Sequence, residues 1–303
     1  MNRGRAMGQG TGVGVRGGAA LVAAASLIMT MAACGVSGTV ADPEPSPPAP
    51  SAPAETPDAA PALTLADIEA HVAEAEWSFA PGGLELSYPV ALTGGTATDD
   101  LGRRYELGAG VGADVNGDGI VDAAIPIAEH DGNGMHELWY IWLGTADGGA
   151  VQVEYPIART SRCGDFTQRV AAIDGAFEID VALRMPFTDD AVPCSDPGTG
   201  TLVRWVRVID AGGAAYPMQL APVEAWGGVC PPSPWLDGIE ETGIAGRAAP
   251  PADAPVVTDP ARSIGLFALP EAPLLTADGA RFFGFIQDYD EADAVRMHCA
   301  FAE

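Results

Sequence analysis

Asp114, Asn116, Asp118 and Asp122 are the only oxygen-bearing side chains in the sequence that recur at the spacing a hard cation demands, within Asp114-Val115-Asn116-Gly117-Asp118-Gly119-Ile120-Val121-Asp122. A divalent calcium ion takes six to eight oxygens from a tightly curled backbone, and alternate loop residues turn their side chains inward to supply them. Counted from Asp114, the four side chains fall at loop positions 1, 3, 5 and 9. Ile120 at position 7 offers its carbonyl, and Gly119 stands at position 6, where the backbone must turn through positive φ. The expected cofactor is therefore Ca²⁺, held by Asp114, Asn116, Asp118, Ile120 and Asp122. Ile125 occupies position 12, where a helix-loop-helix hand would place a bidentate Glu, and 123–127 reads as a strand. One ion with five ligands is expected to bind weakly, at about 10⁻⁴ to 10⁻³ M, and to serve structure.

The nine residues and the strand behind them resemble the calcium turns of FG-GAP and VCBS-type repeats, in which DxNxDGxxD opens directly into a buried strand. Those families carry several copies on β-propeller blades. One copy is present here, so the resemblance implies a calcium turn and not a complete propeller.

Other chemistry-bearing residues are dispersed. Cys163, Cys194, Cys230 and Cys299 form an even set without CxxC or HxxxH spacing, which suggests two disulfides in an exported chain and argues against zinc. Three connectivities are possible, of which Cys163–Cys194 with Cys230–Cys299 is preferred. His130 and His136 flank Asp131-Gly132-Asn133-Gly134, a composition that favours a hairpin turn over a metal site lacking a third ligand. Asp189-Asp190 and the acidic run Asp288, Asp290, Glu291 and Asp293 could supply paired carboxylates for glycan hydrolysis, but an acidic surface run is the preferred reading, given the overall charge. Lysine is absent, which excludes P-loop, Schiff-base and Ser-Lys chemistry. No GxSxG, HExxH or glycine-rich phosphate loop occurs.

The elements that must position these residues begin after a targeting region. Arg3, Arg5 and Arg16 precede an apolar run from Ala19 to Ala33, which is short for a membrane span. The run ends in Met31-Ala32-Ala33-Cys34, which resembles the lipobox of bacterial lipoproteins, where the Cys is acylated and becomes the new N-terminus. With Arg in place of Lys and abundant Ala, Gly and Pro, the chain resembles an actinobacterial surface lipoprotein. That resemblance implies a signal peptide over 1–33, a lipid on Cys34, and a position on the extracellular face of the cell membrane. Loss of 1–33 leaves 12 arginines against 41 acids, a formal balance of −29, which repels nucleic acid and anionic lipid alike. The membrane partner is thus expected to be reached through Cys34 alone. Residues 34–62 form a spacer with eight prolines between 41 and 62, of polyproline II character.

The fold class expected beyond the spacer is mainly β: an antiparallel sandwich or open barrel, one N-terminal helix, and an irregular C-terminal part tied down by a disulfide. Thr64 as N-cap with Asp67 at N3 starts the helix, predicted to run to about Trp77. From Leu84 to Leu92 the apolar period changes to two, with Pro89 marking a sheet edge. Strands follow around Tyr105–Leu107, 121–127, the doubly apolar Leu138–Leu143, Val151–Tyr155, 170–173, 177–183 and Leu202–Ile209, with a hairpin turn at Asp174-Gly175 and the last strand ending before Asp210-Ala211-Gly212-Gly213. Residues 63–220 are read as the β-rich domain and 221–303 as a C-terminal subdomain, or a completion of the first sheet. Further strands are expected near Ile264–Leu269, Arg281–Ile286 and Val295–Phe301, and in the last of these alternation points Cys299 inward and His298 outward. The expected function is a calcium-stabilised binding or interaction module with a cell-wall or protein partner. The alternatives are a cell-wall glycan hydrolase using paired carboxylates and an accessory subunit of a membrane complex.

Overall fold

The computed structural model describes residues 62–81, 87–185, 187–230, 239–240, 245–259, 262–267, 281–287 and 297–302. Residues 1–61, with the expected targeting region, Cys34 and nearly all of the expected spacer, and the 288–293 acidic run lie outside them. The described fold is mainly β and antiparallel, with one α-helix among the described residues.

Helix α1 (Leu65–Val72) opens on the expected capping box: Asp67 N–H donates to the Thr64 hydroxyl at 3.3 Å, and Thr64 N–H donates to the Asp67 carboxylate at 2.9 Å. It ends five residues before Trp77. Residues Glu76–Phe79 instead form β1, paired with β2 (Tyr88–Ala91). Trp77 alternates inward as a strand residue, and its indole N–H donates to Val72 O at 2.9 Å, a helix-end carbonyl that also accepts from Ala75 N at 3.3 Å. Pro89 lies on this two-stranded ribbon, where a missing N–H costs no ladder bond.

The central sheet comprises β3 (Thr96–Thr98), β4 (Arg104–Leu107), β5 (Val111–Ala113), β6 (Asp122–Asp131), β7 (Gly134–Gly144), β8 (Ala150–Gln152) and β9 (Ala158–Ser161). Its main order is β3-β4-β6-β7-β8, with β5 beside β6 and β9 beside β7. Pro126 sits in the middle of β6, at the point where that strand's partner changes from β4 (Leu107 opposite Ile127) to β5 (Val111 opposite Ala124). The proline therefore faces the one gap in the ladder. Strands β6 and β7 are apolar on both faces. Ile125, Ile127, Leu138, Tyr140 and Trp142 pack under α1, β1 and β2, while Ala124 and Ile141 face the other way.

That second face meets a sheet built as a meander: β10 (Phe166–Ile173), β11 (Ala176–Leu183), β12 (Gly200–Ala211), β13 (Ala214–Ala221) and β14 (Ala225–Trp226). Its hairpins turn at Asp174-Gly175 (Gly175 φ +68°) and at Gly212-Gly213 (φ +58° and +79°), as the composition requires. Phe177, Ile179, Val206 and Val208 fill the space between the sheets, and each such side chain withdrawn from water contributes about 1.5–3 kcal/mol. Two antiparallel sheets thus share one buried layer, within the mainly β class the sequence leads one to expect.

The described C-terminal strands form a third sheet of their own, β15 (Ile239–Glu240), β16 (Gly246–Arg247), β17 (Ser263–Phe267), β18 (Arg281–Gln287) and β19 (His298–Ala302), in the order β15-β17-β18-β19-β16. Phe283, Phe285, Ala300 and Ala302 pack against Met218 and Ala225, and the Phe301 ring meets Trp226 edge-on at 5.7 Å. Both sequential disulfides are present: Cys163–Cys194 joins the connection before β10 to the loop after β11, and Cys230–Cys299 secures β19. The outward placement expected for His298 is wrong. β19 is covered on both faces, and the imidazole is buried with Nδ1 3.0 Å from Gln219 Nε2.

Candidate metal centre

The Asp114–Asp122 loop joins two neighbouring strands of the central sheet, β5 and β6, whose register sets Ala113 opposite Asp122. Its curl is produced by side chains that accept backbone N–H groups. Asp114 Oδ1 accepts from Gly117 N (2.7 Å) and Oδ2 from Gly119 N (2.9 Å). Asn116 Oδ1 accepts from Asp118 N (3.0 Å), and Asp118 Oδ1 from Ile120 N (2.8 Å). Gly117 and Gly119 have φ of +80° and +83°, with open space where a Cβ would stand. Backbone conformation, not crowding, is what asks for glycine at position 6.

Asp122 differs from the others. It is fully buried, and its two oxygens accept from Val115 N (2.9 Å) and Gly144 N (3.0 Å). Burial raises its carboxyl to about 6, against the two N–H bonds, and the charges of Asp118 and Asp114 push it further in the same direction. Among the described residues no Arg or His forms an ion pair with Asp114, Asp118 or Asp122. Buried or clustered carboxylates without a basic partner are costly unless a cation balances them.

The chemistry of the donor set suits calcium. Every donor is oxygen, and each carboxylate oxygen that accepts one N–H keeps a second acceptor site. Among the described residues no three His, Cys, Asp or Glu side chains are gathered closely enough to hold an ion by themselves, so a metal here would also draw on Asn116 and the Ile120 carbonyl. Asp114 and Gly117 line one wall of a shallow cleft of about 640 Å³, and Ala172–Gly175 of the β10–β11 hairpin tip line the other.

The remaining sequence candidates do not assemble into a site. His130 and His136 flank the β6–β7 hairpin, where Asp131 pairs with Gly134. Because His130 lies opposite Met135 and His136 opposite Glu129, the two imidazoles stand on opposite faces of the sheet. Asp189 is buried in the loop after β11, accepting from Met185 N (2.7 Å), Thr199 N (2.9 Å) and the Thr199 hydroxyl (2.8 Å). Those bonds, the Met185 and Thr199 amides foremost, hold its carboxyl below the ordinary range, as expected of a loop brace. Neighbouring Asp190 is exposed.

Two features escape the sequence reading. Gly144 must be glycine, since a Cβ there would lie 2.2 Å from Val121 O, and its N–H is one of the two that hold Asp122; the signal is a Gly closing the apolar run 138–143. The second is a buried polar network. Glu129 Oε1 accepts from the Tyr88 hydroxyl (3.0 Å) and the Tyr105 hydroxyl (3.2 Å) and pairs with Arg103 at 3.2 Å, while Arg103 Nε reaches Asp99 at 2.6 Å. Burial raises both phenols above their usual range, so they remain donors. Its members come from β2, β4, β6 and the turn before β4, and no short motif links them.

No protein-family model matches the chain, and no curated protein or solved structure does. The site therefore stands on its geometry.

A carboxyl held above its unfolded value binds its proton more tightly in the folded state, so the stability it gives below about pH 4 is lost as pH rises through about 6. In calcium-free buffer the melting temperature is expected to fall between pH 4 and 7. Asp122→Asn should melt lower throughout, having lost one acceptor, but with a shallower decline; parallel declines would remove Asp122 from the explanation.

Proposed function

We propose that the chain is an exported lipoprotein, attached to the membrane through a lipid on Cys34, whose β-sandwich is a calcium-stabilised binding module. The observation that carries the calcium part is Asp122, a buried carboxylate beside Asp114 and Asp118 without a basic partner among the described residues. Calcium at Asp114, Asn116, Asp118, Ile120 and Asp122 would supply the missing positive charge and cross-link the β5–β6 connection. Because the unfolded loop offers no such arrangement, the ion stabilises the native state by RT ln(1 + [Ca²⁺]/Kd), about 1.4 kcal/mol at ten times Kd.

The anchoring part is supported by the Met31-Ala32-Ala33-Cys34 sequence after an arginine-led apolar run. None of the described helices is long and apolar enough to cross a membrane. The proline-rich spacer would hold the sandwich away from the bilayer, at up to about 3.1 Å per residue. A binding role is favoured by the cleft beside the loop and by the open sheet face on the outer side of β10–β12.

In thermal melts of the full chain, Ca²⁺ at several millimolar is expected to raise the melting temperature by about 3–6 °C over EDTA. Mg²⁺ and the Asp118→Ala variant should give no such rise; equal responses to both ions, or an undiminished response in Asp118→Ala, would refute the calcium reading. For the anchor, cell fractionation should find the wild type in the membrane and Cys34→Ala displaced from lipid modification. Incorporation of a clickable palmitate analogue by Cys34→Ala equal to wild type would overturn the assignment.

A further inference from the structure

Val203 and Trp205 stand two residues apart on β12 and are 50% and 42% exposed, while Arg204, Val206 and Val208 between and beyond them are buried. The β12–β13 register shifts between Trp205 and Val206, but exposure alternates along β12 through this stretch, so the two exposed side chains project together from the outer face of the second sheet. The register sets Glu178 opposite Trp205 and Asp180 opposite Val203 on β11, and Arg169 of β10 opposite Asp180. One row of side chains thus crosses three strands.

The row is internally fixed. The Trp205 indole N–H donates to Glu178 Oε2 at 3.0 Å, Arg169 Nε donates to Asp180 Oδ2 at 2.8 Å, and Arg169 Nη2 donates to Glu178 Oε1. An indole tethered at its edge loses little rotamer freedom when something stacks on its ring. Its charge is also unlike the rest of the chain: Arg169 and Arg207 balance Glu178 and Asp180, within a sequence of formal charge −26. A cationic ligand would find stronger attraction elsewhere on this acidic protein, and a polyanion would be repelled by it.

What fits a locally neutral face with an aromatic centre and a polar border is a neutral molecule that is itself flat and apolar on one side and hydroxylated at its edge. A pyranose ring has that form. Its C–H face can lie on the indole, while its hydroxyls donate to Glu178 and Asp180, whose oxygens each retain an acceptor site, and accept from Arg169. We propose that the β10–β12 face binds a neutral glycan, with Trp205 as the stacking platform and Glu178, Asp180 and Arg169 as hydroxyl partners. This deepens the binding-module reading and rests on it, but it makes no use of the calcium loop.

The test is calorimetric titration of the full chain with the β-1,4-linked hexamers of glucose and of N-acetylglucosamine and with the α-1,4-linked glucose hexamer. At least one should bind, and Trp205→Ala should weaken it by roughly tenfold or more. Trp205→Phe, which keeps a ring, should stay within a few-fold of wild type, and Glu178→Gln should fall between, all with wild-type melting temperatures. Absence of binding by all three hexamers, or undiminished binding by Trp205→Ala, overturns the proposal. So does a wild-type dimer, seen by sedimentation, that Trp205→Ala converts to monomer, because the face is then an interface between copies. Melts with and without Ca²⁺ on the same samples separate the two readings: a calcium response without glycan binding sinks only the face, and glycan binding without a calcium response sinks only the ion.

Discussion

The buried carboxylate of Asp122 is the constraint around which the central sheet is arranged. Each of its oxygens answers a backbone N–H, from Val115 in the loop and from Gly144 at the end of β7. Without that carboxylate both donors would be left buried and unsatisfied, at a cost of about 1–3 kcal/mol each. The same carboxylate must nevertheless lose solvation beside two other acids. Its geometry therefore ties three segments together while leaving a buried charge that a proton or a bound cation would neutralise. Val115 extends the tie, since its carbonyl accepts from Val208 N at 3.0 Å and so couples the loop to the second sheet.

Around this junction the fold is layered. β6 and β7 are covered on one side by α1 with the β1–β2 ribbon and on the other by the β10–β14 meander, which is why their residues are apolar in both directions. The third sheet closes over the β13–β14 end, with Trp226 and Phe301 at the seam and Cys230–Cys299 beside them. The described residues between 62 and 302 accordingly form one unit.

Much of this was legible because local chemistry left few options. The capping box at Thr64, the doubly apolar run 138–143 and the glycine turns at 175 and 212–213 each state a local rule that packing obeys. Gly119 at loop position 6 does so too, taking the positive φ that the spacing requires. What was not legible depends on partners distant in sequence. The helix stops at Val72 because Glu76–Phe79 find a strand partner in Tyr88–Ala91. His298 is buried because a sheet lies over it, and Glu129 is satisfied by side chains from β2, β4 and the turn before it. Gly144 could be seen as a strand end but not as a donor to Asp122. The outer row at Trp205 reads in sequence as ordinary alternation; only the register reveals that Glu178 and Arg169 complete it.

The most direct measurement is a crystal of the full chain grown in millimolar Ca²⁺, with diffraction data collected at a long wavelength where calcium scatters anomalously. The prediction is one anomalous peak per chain in the 114–122 loop, with oxygens of Asp114, Asn116, Asp118, Ile120 and Asp122 at about 2.3–2.6 Å. A well-ordered loop with no peak, and Asp122 still bonded only to Val115 and Gly144, would contradict it and leave the loop as a turn held by its own hydrogen bonds.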